Sequence, residues 1–335
     1  MDRYARQSVF SKIGVEGQRT LAKSRVAIVG AGALGTVSAA ELAGAGVGFL
    51  RLIDRDYVEL TNLQRQTLFD EADAREGSPK AVAAAERLRK INSEIVIEPI
   101  VADFNAANAE KLTSDVDVVI DGSDNAAARY LLNDVCRKLG LPWVYGGALG
   151  SVGAAMSFMP DGPCFRCLFQ HAQNGGESCA TVGVLNMLTG IVGSLQAADA
   201  LKILLKSPEL DRRYRTFDIW NNEFDAIEVS QNLDCPCCGH GDFEFLNAPP
   251  SDNAVSLCGR DAYQVAGRRV ADDNINLTLL AEKLNPLGNV RLNSFMLVFE
   301  SASVSFTLFP DGRAIVKNVK SAPAALSVYA EYIGA

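Results

Sequence analysis

The chain predicts an α/β fold: a doubly wound, mostly parallel sheet with an antiparallel extension, followed by a small α+β domain. Three observations predict it. A β-branched run, Val26-Ala27-Ile28-Val29, enters the glycine turn Gly30-Ala31-Gly32-Ala33-Leu34-Gly35. Apolar runs then alternate with helical patterns as far as Tyr145. Beyond Gly150 the alternation gives way to strands separated by turns.

Taken in order, Thr36 to Ala45 is an Ala-rich helix and Phe49 to Asp54 a second strand, so strand, glycine turn, helix and strand form one βαβ unit. A helix over 79–90, opened by Pro79 behind a capping Ser78, leads to strands over 95–101 and 116–120. A helix over 126–139 precedes the strand Trp143-Val144-Tyr145. This order implies a Rossmann-like parallel sheet covered on both faces. Antiparallel strands over 154–159 and within 214–229 then surround one long helix over 185–205. Ala248-Pro249-Pro250-Ser251-Asp252-Asn253 reads as a linker. Past it, Val304, Phe306 and Leu308 alternate with polar residues, and Pro310-Asp311-Gly312 turns the chain. Pro323 opens a closing helix with Leu326, Tyr329, Ala330 and Ile333 at helical spacing. Two domains are expected, 1–247 and 254–335.

The 335 residues include 40 Asp or Glu and 32 Lys or Arg, a net charge of −8, which argues against a broad nucleic-acid surface. The opening MDRYARQSVF has no apolar run, so no secretory signal is expected. Met187 to Leu205 is interrupted by Gln196, Asp199 and Lys202, so no membrane span is expected. Eight cysteines without a leader favour a reducing, cytoplasmic setting and metal or thiol chemistry. The 2 histidines, His171 and His240, leave little room for imidazole acid–base schemes.

Gly30, Gly32 and Gly35 sit where a strand hands over to a helix, so backbone N–H groups can approach a phosphate at the positive helix end. Asp54 ends the next strand, where a carboxylate bonds ribose hydroxyls. The turn alone fits NAD and ATP equally. Three features favour a triphosphate. Asn62, Arg65 and Gln66 place amides and a guanidinium just beyond Asp54. Lys80 stands in the first turn of a helix, where the dipole disfavours a cation unless the site is exposed or a phosphate sits opposite. Asp121-Gly122-Ser123-Asp124-Asn125 follows an apolar strand, so its side chains should face the nucleotide. Asp124 suits Mg²⁺, which needs one or two carboxylates plus phosphate oxygens, or else caps the following helix. Asp121 caps or hydrogen-bonds the loop.

Cys164-x-x-Cys167 and Cys235-x-x-Cys238 can each offer two thiolates to one ion, and four thiolates suit tetrahedral zinc. Cys237 and His240 are spare candidates beside the second pair. Cys136 and Cys258 read as structural. Cys179 lies in a Gly-containing loop before an apolar helix, where a thiolate is favoured.

Together, Arg3-Tyr4-Ala5-Arg6-Gln7, GAGALG, the Asp54 segment, NLQRQTLF, GSPK, DGSDN, PCFRCL and GSLQAADALKIL resemble the ThiF/MoeB/HesA family, the bacterial counterpart of ubiquitin-activating enzymes. The resemblance covers about residues 1–245. It implies ATP-dependent adenylation of the C-terminal glycine carboxylate of a small ubiquitin-like sulfur carrier protein ending in Gly-Gly. The glycine turn, Asp54, Asn62, Arg65, Gln66 and Lys80 would hold ATP, with Asp124 on Mg²⁺ and Asn125 beside it. Arg6 would reach the phosphates of a partner subunit, implying a homodimer. The cysteine pairs match a structural zinc. Cys179 matches a cysteine that in some members attacks the adenylate or bonds the carrier and in others is dispensable. No rhodanese-like segment follows, so sulfur is expected from a separate donor protein.

Three other readings stay open: a relative that activates a carboxylate on tRNA, an NAD-dependent oxidoreductase, and a non-catalytic adaptor. Against them stand the acidic balance, the absence of histidine from the first half, and the presence of Arg6, Arg65, Lys80 and Asp124.

Overall fold

Apolar runs without polar alternation become central strands because both of their faces are covered. The computed structural model describes residues 3–170, 182–248, 255–256, 262–265 and 275–334. Short helices α1 (Ala5–Val9) and α2 (Gly14–Leu21) lead into β1 (Arg25–Val29), α3 (Ala33–Ala45) and β2 (Phe49–Asp54). Then follow α4 (Glu71–Glu76), α5 (Lys80–Ile91), β3 (Val96–Val101), α6 (Ala109–Thr113), β4 (Val118–Asp121) and α7 (Ala126–Leu139). Next come β5 (Trp143–Leu149), β6 (Val152–Phe158), α8 (Phe165–Leu168), α9 (Asn186–Leu204), β7 (Tyr214–Asp218) and β8 (Glu223–Ile227).

These strands form one sheet in the order β3-β2-β1-β4-β5-β6-β7-β8. The pairs from β3 through β5 are parallel, and those from β5 to β8 antiparallel. One face buries Val26 and Ile28 against α2, α3, α5 and α9; the other buries Ala27 and Val29 against α6, α7 and α8. The expected doubly wound sheet with its antiparallel extension is the one observed. α3 is buried nearly all round and so shows no apolar stripe, and it ends at Gly46, whose φ of 80° suits a left-handed cap.

Ser78 does not cap α5. Pro79 occupies that position with no side-chain cap, and the backbone supplies the bond instead: the Lys80 N–H donates to the Asp56 carbonyl at 2.9 Å. A bridge between Tyr57 and Pro79 holds this crossing together.

α9 is long and apolar enough, by length and composition, to cross a membrane, with a mean hydropathy of 1.2. Half of that stretch is buried inside the protein, packed on α3, β5 and β6. Gln196 and Asp199 are buried on it with hydrogen-bond partners, which is the character of a core helix.

Contacts divide the chain into two units, Met1–Ala248 and Pro249–Ala335. The second contains β9 (Val255–Ser256), β10 (Ala262–Val265), α10 (Leu277–Leu284), β11 (Asn289–Leu292), β12 (Leu297–Glu300), β13 (Ser305–Leu308), β14 (Ala314–Lys317) and α11 (Ala322–Tyr332). Its antiparallel sheet runs β11-β12-β13-β14-β10-β9. Phe299, Phe306, Leu308 and Val316 meet α10 and α11 in one core. Pro323 lies in the first turn of α11 as expected, behind a Ser321 cap. The apolar face of α11 is shifted from the expected one. Ala325, Val328 and Tyr329 are buried and Ile333 packs half-buried against the same core, whereas Leu326 and Ala330 are exposed.

Arg51 of β2 pairs with Glu98 at 2.6 Å and Asp115 at 2.5 Å. Its hydrogen bond to Asp115, helped by Arg25, holds that carboxyl down to about 2. A carboxyl depressed in this way adds stability above about pH 4 and loses it as pH falls toward 2. The Asp115 side chain is 47% exposed, so solvent screens the pair. Asp115→Asn is expected to lower Tm at pH 7 by no more than about 2–4 °C, the effect of roughly 1 kcal/mol at this size. The gap should narrow by pH 3 in a thermal melt series; a gap independent of pH contradicts the assignment.

Candidate active site and metal centre

The carboxyl ends of β1, β2 and β4 meet at Gly30, Asp54 and Gly122. The Gly30 N–H donates to the Ile53 carbonyl at 2.7 Å, and the Gly122 N–H to that of Val29 at 2.8 Å. Three absent side chains permit the approach. A Cβ on Gly35 would lie 1.9 Å from the Gly30 oxygen, and one on Gly122 2.2 Å from it. Gly30 has a φ of 96°, and its Cβ would meet the Gly122 oxygen at 2.4 Å.

Asp54 fastens this turn to β2. One carboxyl oxygen accepts the Ala31 N–H and the other the Asp56 N–H, each at 2.7 Å. Burial pushes its carboxyl above the usual range, while the nearby Lys80 charge pulls it down. Lys80 itself is buried, with Nζ 3.3 Å from Asp56 Oδ2. The bland explanation for a cation at this helix end, an exposed surface, is therefore removed.

Asn62 and Gln66 are buried, and Arg65 is half-buried. Asn62 Oδ1 accepts the Glu59 N–H at 3.1 Å and so shapes the turn at Leu60–Asn62. Arg65 donates to the Thr61 carbonyl at 2.9 Å. The Gln66 amide lies beside the glycine turn, 4.0 Å from where a Gly32 Cβ would stand, and its buried Oε1 has no hydrogen-bond partner among the described residues. An orphaned buried acceptor costs about 1–3 kcal/mol, which a ligand donor would offset.

In the loop after β4, Asp121 is fully buried. It accepts the Ser123 N–H at 2.9 Å and pairs with Arg129 at 3.0 Å. Arg129 also donates to the carbonyls of Ser123 and Gly146 and lies over the Tyr145 ring. Asn125, not Asp124, caps α7, its Oδ1 accepting the Ala128 N–H at 2.8 Å. Asp124 is exposed. The cap reading of Asp124 thus falls to its neighbour, and the carboxylate stays open to solvent. Arg6 is exposed on α1 and hydrogen-bonds to none of these groups among the described residues. Cys179, His171 and Cys258 lie outside the described residues.

Two residues of this end were missed in the sequence. Arg129 is a cation in the first turn of α7, the same signal that marked Lys80. Gln196 is an amide in an apolar helix. Its Nε2 donates to the carbonyls of Asp121 at 2.7 Å and Val144 at 3.2 Å, tying β4 to β5.

On the α7 side of the sheet the two cysteine pairs converge. Sγ of Cys164 lies 3.9 Å from Cys167 and 3.6 Å from Cys235, and Cys167 lies 3.4 Å from Cys238. All four ligand atoms fall within 4.8 Å of one another. Tetrahedral Zn–S bonds of about 2.3 Å require S–S separations of about 3.8 Å, so the set fits zinc. Crowded thiols resist ionising without a cation: the hydrogen bond with Cys164 and then burial push Cys167 up to about 12. Cys237 is buried outside the four and accepts from Asn133 Nδ2 at 3.1 Å. His240 is exposed. Cys136 is buried within α7, and burial pushes its thiol up.

A glycine turn at the strand ends of a doubly wound sheet, together with a cluster of four thiols that could hold a metal ion, has the form of an α/β nucleotide-binding fold. The ThiF family model matches residues 4–237. The chain is 39% identical over 336 residues to the sulfur carrier protein ThiS adenylyltransferase of Bacillus subtilis, covering 99% of each. It is 44% identical over 249 residues to the SAMP-activating enzyme E1 of Haloferax volcanii, covering 73% of this chain and 92% of that one. Among solved structures, E. coli MccB with ATP shares the fold at a TM-score of 0.62 and 24% identity, over 71% of this chain and 75% of that one. The chain belongs to the ThiF family and is an adenylyltransferase.

Because a structural thiolate site couples metal binding to folding, Cys164→Ser is expected to release metal and lower thermal stability. Metal analysis and a melt check this; a fully stable, metal-loaded variant contradicts the four-thiol assignment.

Proposed function

We propose that this chain uses ATP to adenylate the C-terminal glycine carboxylate of a small ubiquitin-like sulfur carrier protein ending in Gly-Gly. One observation carries the reading. The glycine turn, Asp54, Lys80 and the Asp121–Asn125 loop gather at one end of the sheet, in a chain 39% identical, over 99% of its length, to a sulfur carrier protein ThiS adenylyltransferase.

A terminal carboxylate has a pKa of about 3.5, so at neutral pH it is a nucleophile without a base. Its oxygen attacks the α-phosphorus, the bond to the β-phosphate oxygen breaks, and pyrophosphate leaves with the electron pair. The barrier is crowded negative charge, so cations and alignment matter more than acid–base groups. In this reading the N–H groups of the glycine turn and Lys80 hold phosphates, and Asp54 takes ribose hydroxyls. Asn62, Arg65 and Gln66 orient the nucleotide. Asp124, with Asn125 beside it, and the phosphates would hold Mg²⁺, which supplies charge neutralisation when bound. Cys164, Cys167, Cys235 and Cys238 would hold a structural zinc with no open coordination position.

Arg6 is assigned to the phosphates of the partner subunit in a homodimer. Val9, Phe10 and Val15, exposed apolar residues near it in sequence, suit burial in such an interface. The protein is read as soluble and cytoplasmic, with sulfur supplied by a separate donor on the way to a thiocarboxylate. Residues 1–247 carry this chemistry, and 254–335 take no assigned part in it.

Carrier-dependent ATP–pyrophosphate exchange with Mg²⁺ tests the reading. Exchange is expected with one Gly-Gly-ending carrier, and its absence with every such carrier, in a folded protein that binds ATP, contradicts it. Asp124→Ala should lower exchange by at least about 100-fold, roughly 2.7 kcal/mol, with the fold intact; unchanged turnover removes Asp124 from the metal role. Cys179→Ala should spare exchange and act only downstream, as thiocarboxylate yield would report.

A further inference from the structure

α7 presents a buried polar face to the cysteine cluster that the adenylation chemistry does not use. Asn133 is 1% exposed. Its Oδ1 accepts the N–H of Phe165, within the first cysteine pair, at 2.7 Å. Its Nδ2 donates to Sγ of Cys237, within the second pair, at 3.1 Å. These partners are 32 and 104 residues away, so one amide joins two distant stretches of chain. One turn further along the same face, Arg137 donates to the carbonyls of Pro160 and Gly162, ahead of the first pair, and of Cys238 in the second. Between them the fully buried Asp134 accepts the Phe245 N–H at 2.8 Å, just past the second pair.

A buried amide is tolerated only when both of its ends are bonded; besides a bond from Nδ2 to Asp134 Oδ1 at 3.3 Å, each end here bonds a segment that carries the thiols. An apolar residue would serve packing as well. It could not set the distance between the two pairs.

We propose that Asn133 is a positioning residue for the metal centre. Its amide, with Arg137 one turn on, fixes the separation of the two cysteine pairs, and Cys237 is its anchor rather than a fifth ligand. This rests on the reading that the four cysteines hold zinc. Groups that orient ligands from outside the coordination sphere are worth about 10–100-fold in metal affinity.

The test uses the full chain as wild type, Asn133→Ala, Cys237→Ala and Lys138→Ala. Lys138 is an exposed residue of the same helix, paired with Glu110, and serves as control. Two quantities are measured: zinc release to a colorimetric chelator, and the visible and near-ultraviolet spectrum after cobalt(II) substitution. Asn133→Ala is expected to release zinc about 10–100-fold faster and to shift the cobalt d–d bands, because the thiolate geometry relaxes. Cys237→Ala is expected to keep the full four-thiolate charge-transfer intensity while releasing metal faster. Lys138→Ala should match the wild type.

Release and spectra unchanged in Asn133→Ala overturn the proposal, as does loss of thiolate intensity in Cys237→Ala. If Asn133→Ala does not fold, Cys237→Ala decides alone, and release at the wild-type rate counts against the proposal. A wild-type chain that retains no zinc is a separate result: it defeats the zinc reading itself.

Discussion

The close approach of Gly30, Gly35 and Gly122 is the constraint on which the rest of this end of the molecule depends. Each position faces a backbone oxygen at a distance no side chain could occupy, down to 1.9 Å for a Cβ on Gly35. Without side chains, the first turn of α3 settles onto the end of β1, and the loop after β4 settles onto both. That contact lets the Gly122 N–H reach Val29 and the Ala31 N–H reach Asp54. Larger residues would separate the strand ends and scatter the groups they carry.

Charge is arranged on the same plan. Lys80 and Arg129 are cations near helix N-termini, and each is set against a carboxylate, Asp56 and Asp121. Such buried pairs contribute little net stability, because desolvation offsets their attraction, but they hold their members in one geometry. For a reaction limited by negative charge, cations fixed before the substrate arrives lower the reorganisation needed at the transition state. α7 extends the plan across the sheet. Its N-cap Asn125 and its Arg129 lie at the glycine-turn end, and the turns beyond carry Asn133 and Arg137 against the cysteine pairs.

Much of this was legible in the sequence because the signals were local. Strand, glycine turn and helix follow one another, Asp54 closes the next strand, and each cysteine pair lies within a few residues. Asp124 and Asn125 were harder: adjacent polar residues before a helix compete for the cap, and only the backbone path decides which one turns inward. Lys80 marked itself by opposing a helix dipole, yet the crossing that sets it beside Asp56, where Tyr57 bridges to Pro79, is one no periodicity reports. Gln196 and Asn133 were invisible for the same reason, since their partners lie on other elements far along the chain. On α11, Tyr329 and Ile333 meet the core as read but Leu326 and Ala330 do not, and Ala325 takes part instead, because alanine carries too weak a signal to show which way it faces.

The measurement that bears most directly on this account is a crystal structure of the full chain with a non-hydrolysable ATP analogue and Mg²⁺. The account expects the phosphates along Gly30–Gly35 toward Lys80, the ribose on Asp54, and the metal on Asp124. A nucleotide bound elsewhere, or a triphosphate that leaves Lys80 paired only with Asp56, would contradict it.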